Sequence, residues 1–169
     1  MWSRGITFCW DNKSVDKSGE SGIIKEKDET AGKDLKYIGN IDLNKFHGIT
    51  EKKIITDEVI LTNNRIDHII ERRGQSFYDE YNQYFPEIIS DPDYIFKDKN
   101  EDTAIVSKTF EHKGKSVNLV LKLAVEGDDL KYKNSIITAV CENNKRFSQR
   151  LRNNEPTYKK YWHYRMNMI

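Results

Sequence analysis

His68 is the residue of this chain best placed for proton transfer. It stands in the run Arg65-Ile66-Asp67-His68-Ile69, and an imidazole titrates near neutrality, so it can act as base or acid. If the run is helical, Arg65 at i−3 and Arg72 at i+4 share a side with His68. Two guanidinium groups so placed would lower the histidine pKa and favour its neutral, basic form. They would also clamp an oxyanion such as a phosphate. A plainer account uses the same residues: His68 packs at the edge of the Ile66, Ile69, Ile70 stripe, and Arg72 and Arg73 complement the dipole at a helix C-terminus. His47 lies in a loop before Gly48, His112 starts a turn, and His163 sits in an aromatic tail. The four histidines show no H-x-x-x-H or carboxylate spacing that would suggest zinc, so no metal and no cofactor is expected.

The elements that must carry these residues follow from apolar spacing. Ile38, Ile41, Leu43 and Phe46 mark the first stretch able to bury, and Ile54–Leu61 suits a strand or an entry into the next helix. Thr62 is placed to cap a helix whose apolar face is Ile66, Ile69 and Ile70, and Gly74 to end it in the left-handed conformation. Phe77, Tyr81, Tyr84 and Phe85 repeat at helical spacing until Pro86 breaks or restarts the helix. After Asp91-Pro92-Asp93 the period changes to two. Ala104–Glu111 is one strand, and His112-Lys113-Gly114-Lys115 a turn. Val117, Leu119, Leu121, Leu123 and Val125 then alternate with Asn118, Val120, Lys122 and Ala124. Gly127-Asp128-Asp129 turns the chain, Asn134–Cys141 is a further strand, and Lys145–Arg152 a helix stopped by Pro156. The expected fold is α+β: N-terminal helices packed on an antiparallel sheet of about four strands, with a C-terminal helix.

Composition sets the domain plan. Residues 13–36 are half charged and poor in apolar side chains, so they cannot offset the entropy of ordering. Residues 1–36 are expected to form a flexible arm or linker, and residues 37–169 one domain. Cys9 and Cys141 make neither a metal pattern nor a disulfide framework. No apolar run approaches the roughly 18–20 residues of a membrane span, so a soluble cytoplasmic protein with no membrane partner is expected. The formal net charge is +1, but residues 143–169 hold seven Lys/Arg against the single acid Glu155, which leaves the rest net acidic. A basic end of this kind attracts a polyanion or is simply a solvated helix.

Four segments together carry a resemblance. Arg65-Ile-Asp-His68-Ile69 resembles the R-x-x-H-I signature of phage- and toxin-associated domains of the barnase–EndoU–colicin–RelE-like nuclease superfamily. Asp91-Pro92-Asp93-Tyr94-Ile95 is similar to the segment that joins their helices to their sheet. Lys122 in Val120-Leu121-Lys122-Leu123 is similar to their central-strand lysine, and Asn134–Thr138 to the strand that brings a Ser/Thr to the site. The likeness covers roughly Ile54 to Lys160. It departs in one respect: where many relatives place a second histidine, this chain has Arg72-Arg73-Gly74.

The resemblance implies a metal-independent endoribonuclease. In that chemistry the RNA 2′-hydroxyl attacks its own phosphate, and DNA lacks the nucleophile. A base takes the hydroxyl proton, a donor protonates the leaving 5′-oxygen, and cations hold the charge of the phosphorane. The implied catalytic set is His68, Lys122, Thr138 and Arg72, with Arg65, Arg73, Lys108, Ser135, Tyr158 and Lys159 holding RNA or phosphate. Strand alternation puts Ser135 and Thr138 on opposite faces unless a bulge intervenes; Thr138 is preferred and Ser135 kept as its alternative. Lys108 reads better as a solvated lysine. Tyr158, Lys159, Tyr161 and Trp162 suit base stacking beside a basic groove or a terminal helix that closes the core. RNA, tRNA included, is the implied substrate, and an immunity or antitoxin protein the implied partner. A secreted toxin of this kind would act in the cytoplasm of a target cell. The competing reading is a catalytically silent module that binds RNA or protein, or a structural protein that never meets nucleic acid.

Overall fold

The computed structural model describes residues 35–160. The expected N-terminal arm up to residue 34, and the tail with Tyr161, Trp162 and His163, lie outside the described residues. Seven strands form one sheet: β1 (Leu35–Asn40), β2 (Glu58–Thr62), β3 (Tyr94–Lys97), β4 (Thr103–Phe110), β5 (Lys115–Lys122), β6 (Asn134–Asn143) and β7 (Tyr158–Lys159). The α-helices are α1 (Asn63–Arg73), α2 (Gln75–Tyr81), α3 (Phe85–Ser90) and α4 (Asn144–Asn153). The strand order is β1-β2-β6-β5-β4-β3-β7. Every neighbouring pair is antiparallel except β2 and β6, which run parallel.

This corrects the expected architecture in two ways. The sheet is mixed and has seven strands rather than about four, and α1–α3 lie mid-chain, after two strands, rather than at the N-terminus. The reason is non-local. β2 alternates Val59 and Leu61 inward over only five residues, and it enters the sheet by pairing with Asn134 and Ser135, far along the chain. β1 is an edge strand with one buried residue, Ile38, so its own pattern is faint.

The alternation in β5 sorts the two faces. Val117, Leu119 and Leu121 join Ala104, Val106 and Phe110 of β4 and Ile136 and Ala139 of β6 on the front face. Ile69 of α1, Tyr81 of α2 and Phe85, Ile88 and Ile89 of α3 complete this main core. Each fully buried Leu, Ile or Phe stabilises by about 1.5–3 kcal/mol. The back face carries a smaller apolar patch, Phe96, Ile105, Val120 and Val140, and α4 packs there through Phe147. The fold is therefore three layers: α1–α3, sheet, α4.

Local signals set the helix bounds. The Thr62 hydroxyl accepts from Arg65 N at 3.4 Å and caps α1; the Asn143 side chain does the same for α4 from Arg146 N at 3.0 Å. Pro86 falls in the first turn of α3, where its missing N–H costs nothing. Gly74 ends α1 with φ +94° and ψ 154°, so φ is positive as expected but ψ is not that of the left-handed helix. That region of backbone space belongs to glycine. Gly74→Ala is expected to lower the unfolding free energy by about 1–3 kcal/mol, read as a lower urea midpoint with unchanged m. An added Cβ would meet nothing closer than Ser76 Oγ at 3.9 Å, so an effect of that size would come from φ alone. Among the described residues no helix is long and apolar enough to cross a membrane.

Candidate active site

α1 presents His68 partly exposed, beside the buried Ile69. Its pKa is lowered, first by burial and then by the charges of Arg72 and Arg65, with Glu71 opposing. The neutral imidazole is thus favoured through the neutral pH range, as a base requires. A variant lacking one cation checks the cause. Arg72→Gln is expected to move the acid limb of the kcat/KM profile upward, toward the ordinary histidine value of about 6.5. The move should be partial, because burial remains.

The strand candidates converge in a way that regular alternation forbids. Opposite β5, Val120 pairs with Thr138 and Leu121 with Ile136, so Ile137 is an extra residue in β6. This bulge puts Ser135, opposite Lys122, on the same face as Thr138, opposite Val120. Both hydroxyls and Lys122 therefore share the back face, with Thr103 beside Lys122 on β4. Ser135 stands directly opposite Lys122 and Thr138 opposite Val120, so the two hydroxyls share the face rather than exclude each other.

Lys122 is not a loose cation. Its Nζ donates to the Glu101 carbonyl at 2.8 Å and lies 3.9 Å from the Asp102 carboxylate. Asp102 is buried, with φ +52°, and accepts from Thr50 Oγ1 at 2.6 Å and Lys52 Nζ at 3.2 Å. Burial raises the Asp102 pKa, but the bonds from Thr50 and Lys52 and the charge of Lys122 win, and it is held below the usual carboxylate range. Thr50, Lys52 and Asp102 thus fix the position of Lys122. Sequence reading missed all three, since Asp102 sits in a charged run that signals only a turn.

The remaining candidates scatter. Lys108 is buried on the front face, not solvated: it donates to Asp91 O at 2.8 Å and Asp91 Oδ2 at 3.1 Å, with Glu87 Oε1 at 3.5 Å. Lys160 donates to the same Asp91 oxygen at 2.6 Å, and that bond is the chief reason the Asp91 pKa is lowered. Tyr158 packs against the main core under Lys45, whose Nζ is 5.5 Å from its ring centre. Lys159 lies on the back face over the ring of Tyr94, at 6.0 Å. Arg65, Arg72 and Arg73 stay with His68 on α1.

The candidates thus form two sets, one on α1 and one on the back face. β6 links them. β2 pairs with β6 only at Asn134 and Ser135, and past that point α1, which follows β2 directly, packs along β6. Among the described residues no three His, Cys, Asp or Glu side chains group as metal ligands would.

No curated protein and no solved structure matched the chain. The family model described as phage-Barnase-EndoU-ColicinE5/D-RelE like nuclease 2 matches residues 33–159, from just before β1 to the end of β7. That span is well over half of the 169 residues, and the chain belongs to this family of nucleases.

Proposed function

We propose that this nuclease is an endoribonuclease that cleaves RNA without a metal, with the 2′-hydroxyl as internal nucleophile. One observation carries the reading: His68 stands between Arg65 and Arg72 on a helix that packs along the strand bearing Ser135 and Thr138. His68 accepts the 2′-hydroxyl proton as the 2′-oxygen bonds to phosphorus. Arg65 and Arg72 hold the non-bridging oxygens, and Thr138 or Ser135 orients the hydroxyl. The bond to the 5′-oxygen breaks, and Lys122 is the candidate donor of the proton it takes. The products are a 2′,3′-cyclic phosphate and a free 5′-hydroxyl.

The full-length protein is expected to cut single-stranded RNA in EDTA and to leave cyclic-phosphate ends. An oligonucleotide with one 2′-deoxy position should resist at that position alone. Cutting at the deoxy position, or loss of activity in EDTA, would sink the mechanism. The bonds that already hold Lys122 favour a second reading, a catalytically silent module. That reading gives salt-sensitive RNA binding with no turnover. Toxicity on bacterial expression that His68→Ala removes, and a co-expressed neutralising protein that binds the domain, would extend the first reading to a toxin.

A further inference from the structure

The middle of the back face holds two polar side chains that the mechanism does not use. Ser107 of β4 and Asn118 of β5 face each other across the ladder. Their exposures are 0% and 1%. The Ser107 hydroxyl and both the oxygen and the nitrogen of the Asn118 amide have no protein hydrogen-bond partner, not even each other. Buried polar groups in folded proteins are nearly always paired, and an apolar residue of similar shape would suit a structural layer better. Their retention needs another reason.

α4 packs on this face. Its backbone lies against β5 and β6, while Phe147 reaches across to Tyr94 and Phe96 on β3, with ring centres 5.5 and 6.4 Å away. Ser107 and Asn118 lie on β4 and β5 between those points, and Ser107 pairs with Tyr94, one of the rings that Phe147 meets. Few side chains attach it: Phe147 is the one buried residue of α4, and Arg150 makes two bonds to Glu142, at 3.1 and 2.5 Å. No cation bonds to either orphan side chain, so a phosphate is a poor match. An amide offers a donor beside an acceptor, as the edge of a base does. Aromatic rings alongside supply a stacking surface.

We propose that Ser107 and Asn118 form a nucleobase-reading site of the endoribonuclease, closed by α4 and exposed when α4 lifts. The ligand class rests on the ribonuclease reading; the site itself rests on the orphan atoms. The amide takes two hydrogen bonds from the base edge, and the Ser107 hydroxyl is the third point that separates one base from another.

Asn118→Leu in the full-length protein tests this. Its Tm should be unchanged or raised. In a His68→Ala background its affinity for the best-bound of the four nucleoside 3′-monophosphates should fall at least tenfold. In ¹⁵N NMR that nucleotide should shift the Asn118 side-chain amide of the otherwise wild-type protein. Arg150→Gln, which loosens the cover, should raise nucleotide affinity at least threefold. A lower Tm for Asn118→Leu means that the amide serves the fold, through a buried water for instance, and overturns the proposal. So does unchanged affinity, or no binding of any of the four nucleotides. Unchanged or weaker binding by Arg150→Gln overturns the role of α4 as cover. The two readings separate cleanly. RNA cleavage with the same base preference in wild type and Asn118→Leu removes this site and keeps the ribonuclease. Nucleotide binding that moves the Asn118 amide without any RNA cleavage does the reverse.

Discussion

His68→Ala is expected to lower kcat/KM for RNA by about 10²–10⁴-fold, the usual contribution of a positioned acid or base. Stability should change little, because the side chain is partly exposed and takes no apolar place in the core. His47→Ala and His112→Ala, both at exposed positions, serve as controls and should keep activity within about twofold, as surface changes away from a site do. pH supplies an independent check. The folded pKa of His68 lies below its ordinary value, so the unfolded chain binds the proton more readily. Stability from His68 is therefore complete above about pH 6.5 and is lost as pH falls through the folded pKa. Melting wild type and His68→Ala across pH 4–8 should show the wild type losing ground at the acid end only. A histidine that merely packs would give the stability curve without the loss of turnover.

Two single-residue deletions in β6 should have unequal outcomes. Removing Ile137 takes out the extra residue and leaves every pair between β5 and β6 in place: Leu121 still meets Ile136, and Val120 still meets Thr138. This variant should fold, with a loss of about 1–2 kcal/mol. Removing Val140 interrupts a regular ladder, and a slip of one residue turns one side of the strand over. The spare residue at Ile137 takes up the slip, so Ile136 keeps its place opposite Leu121, but Thr138 moves into Ala139's place in the main core and Ala139 into that of Val140. Burying the Thr138 hydroxyl without a partner costs about 1–3 kcal/mol, and trimming Val140 to Ala on the back face adds to it. Urea melts should find the Val140 deletion clearly less stable than the Ile137 deletion. Equal behaviour of the two would mean that Ile137 is not a bulge.

The alternation of β5 was legible because both of its neighbours run antiparallel and the front face is one continuous core. Thr62 as a cap and Gly74 as a helix end were legible because caps are local chemistry, although the ψ of Gly74 was not. The bulge was not. Ile136 and Ile137 are both apolar, so nothing in the sequence says which one leaves the ladder, and Ser135 and Thr138 stand three apart, as if on opposite faces. The resemblance pointed to Lys122, Ser135 and Thr138, but their shared face depends on pairing with β5. The bonds of Lys122 to Glu101 and near Asp102, and the burial of Lys108 by Asp91, are contacts between distant segments that no local spacing encodes.

The parallel pairing of β2 with β6 also sets a timetable. A chain made from its N-terminus releases β1, β2 and α1 long before β6 exists, and β2 has its inner neighbour only once β6 arrives. At about 5–20 residues per second, the ribosome takes several seconds to travel from the end of β2 to the end of β6. For most of that interval, from residue 68 until residue 135, the nascent polypeptide carries His68 but neither Ser135 nor Thr138. On the proposed mechanism, synthesis halted before residue 134 would leave an unarmed fragment, and the cell that makes this nuclease would meet the assembled blade only once β6 had been made.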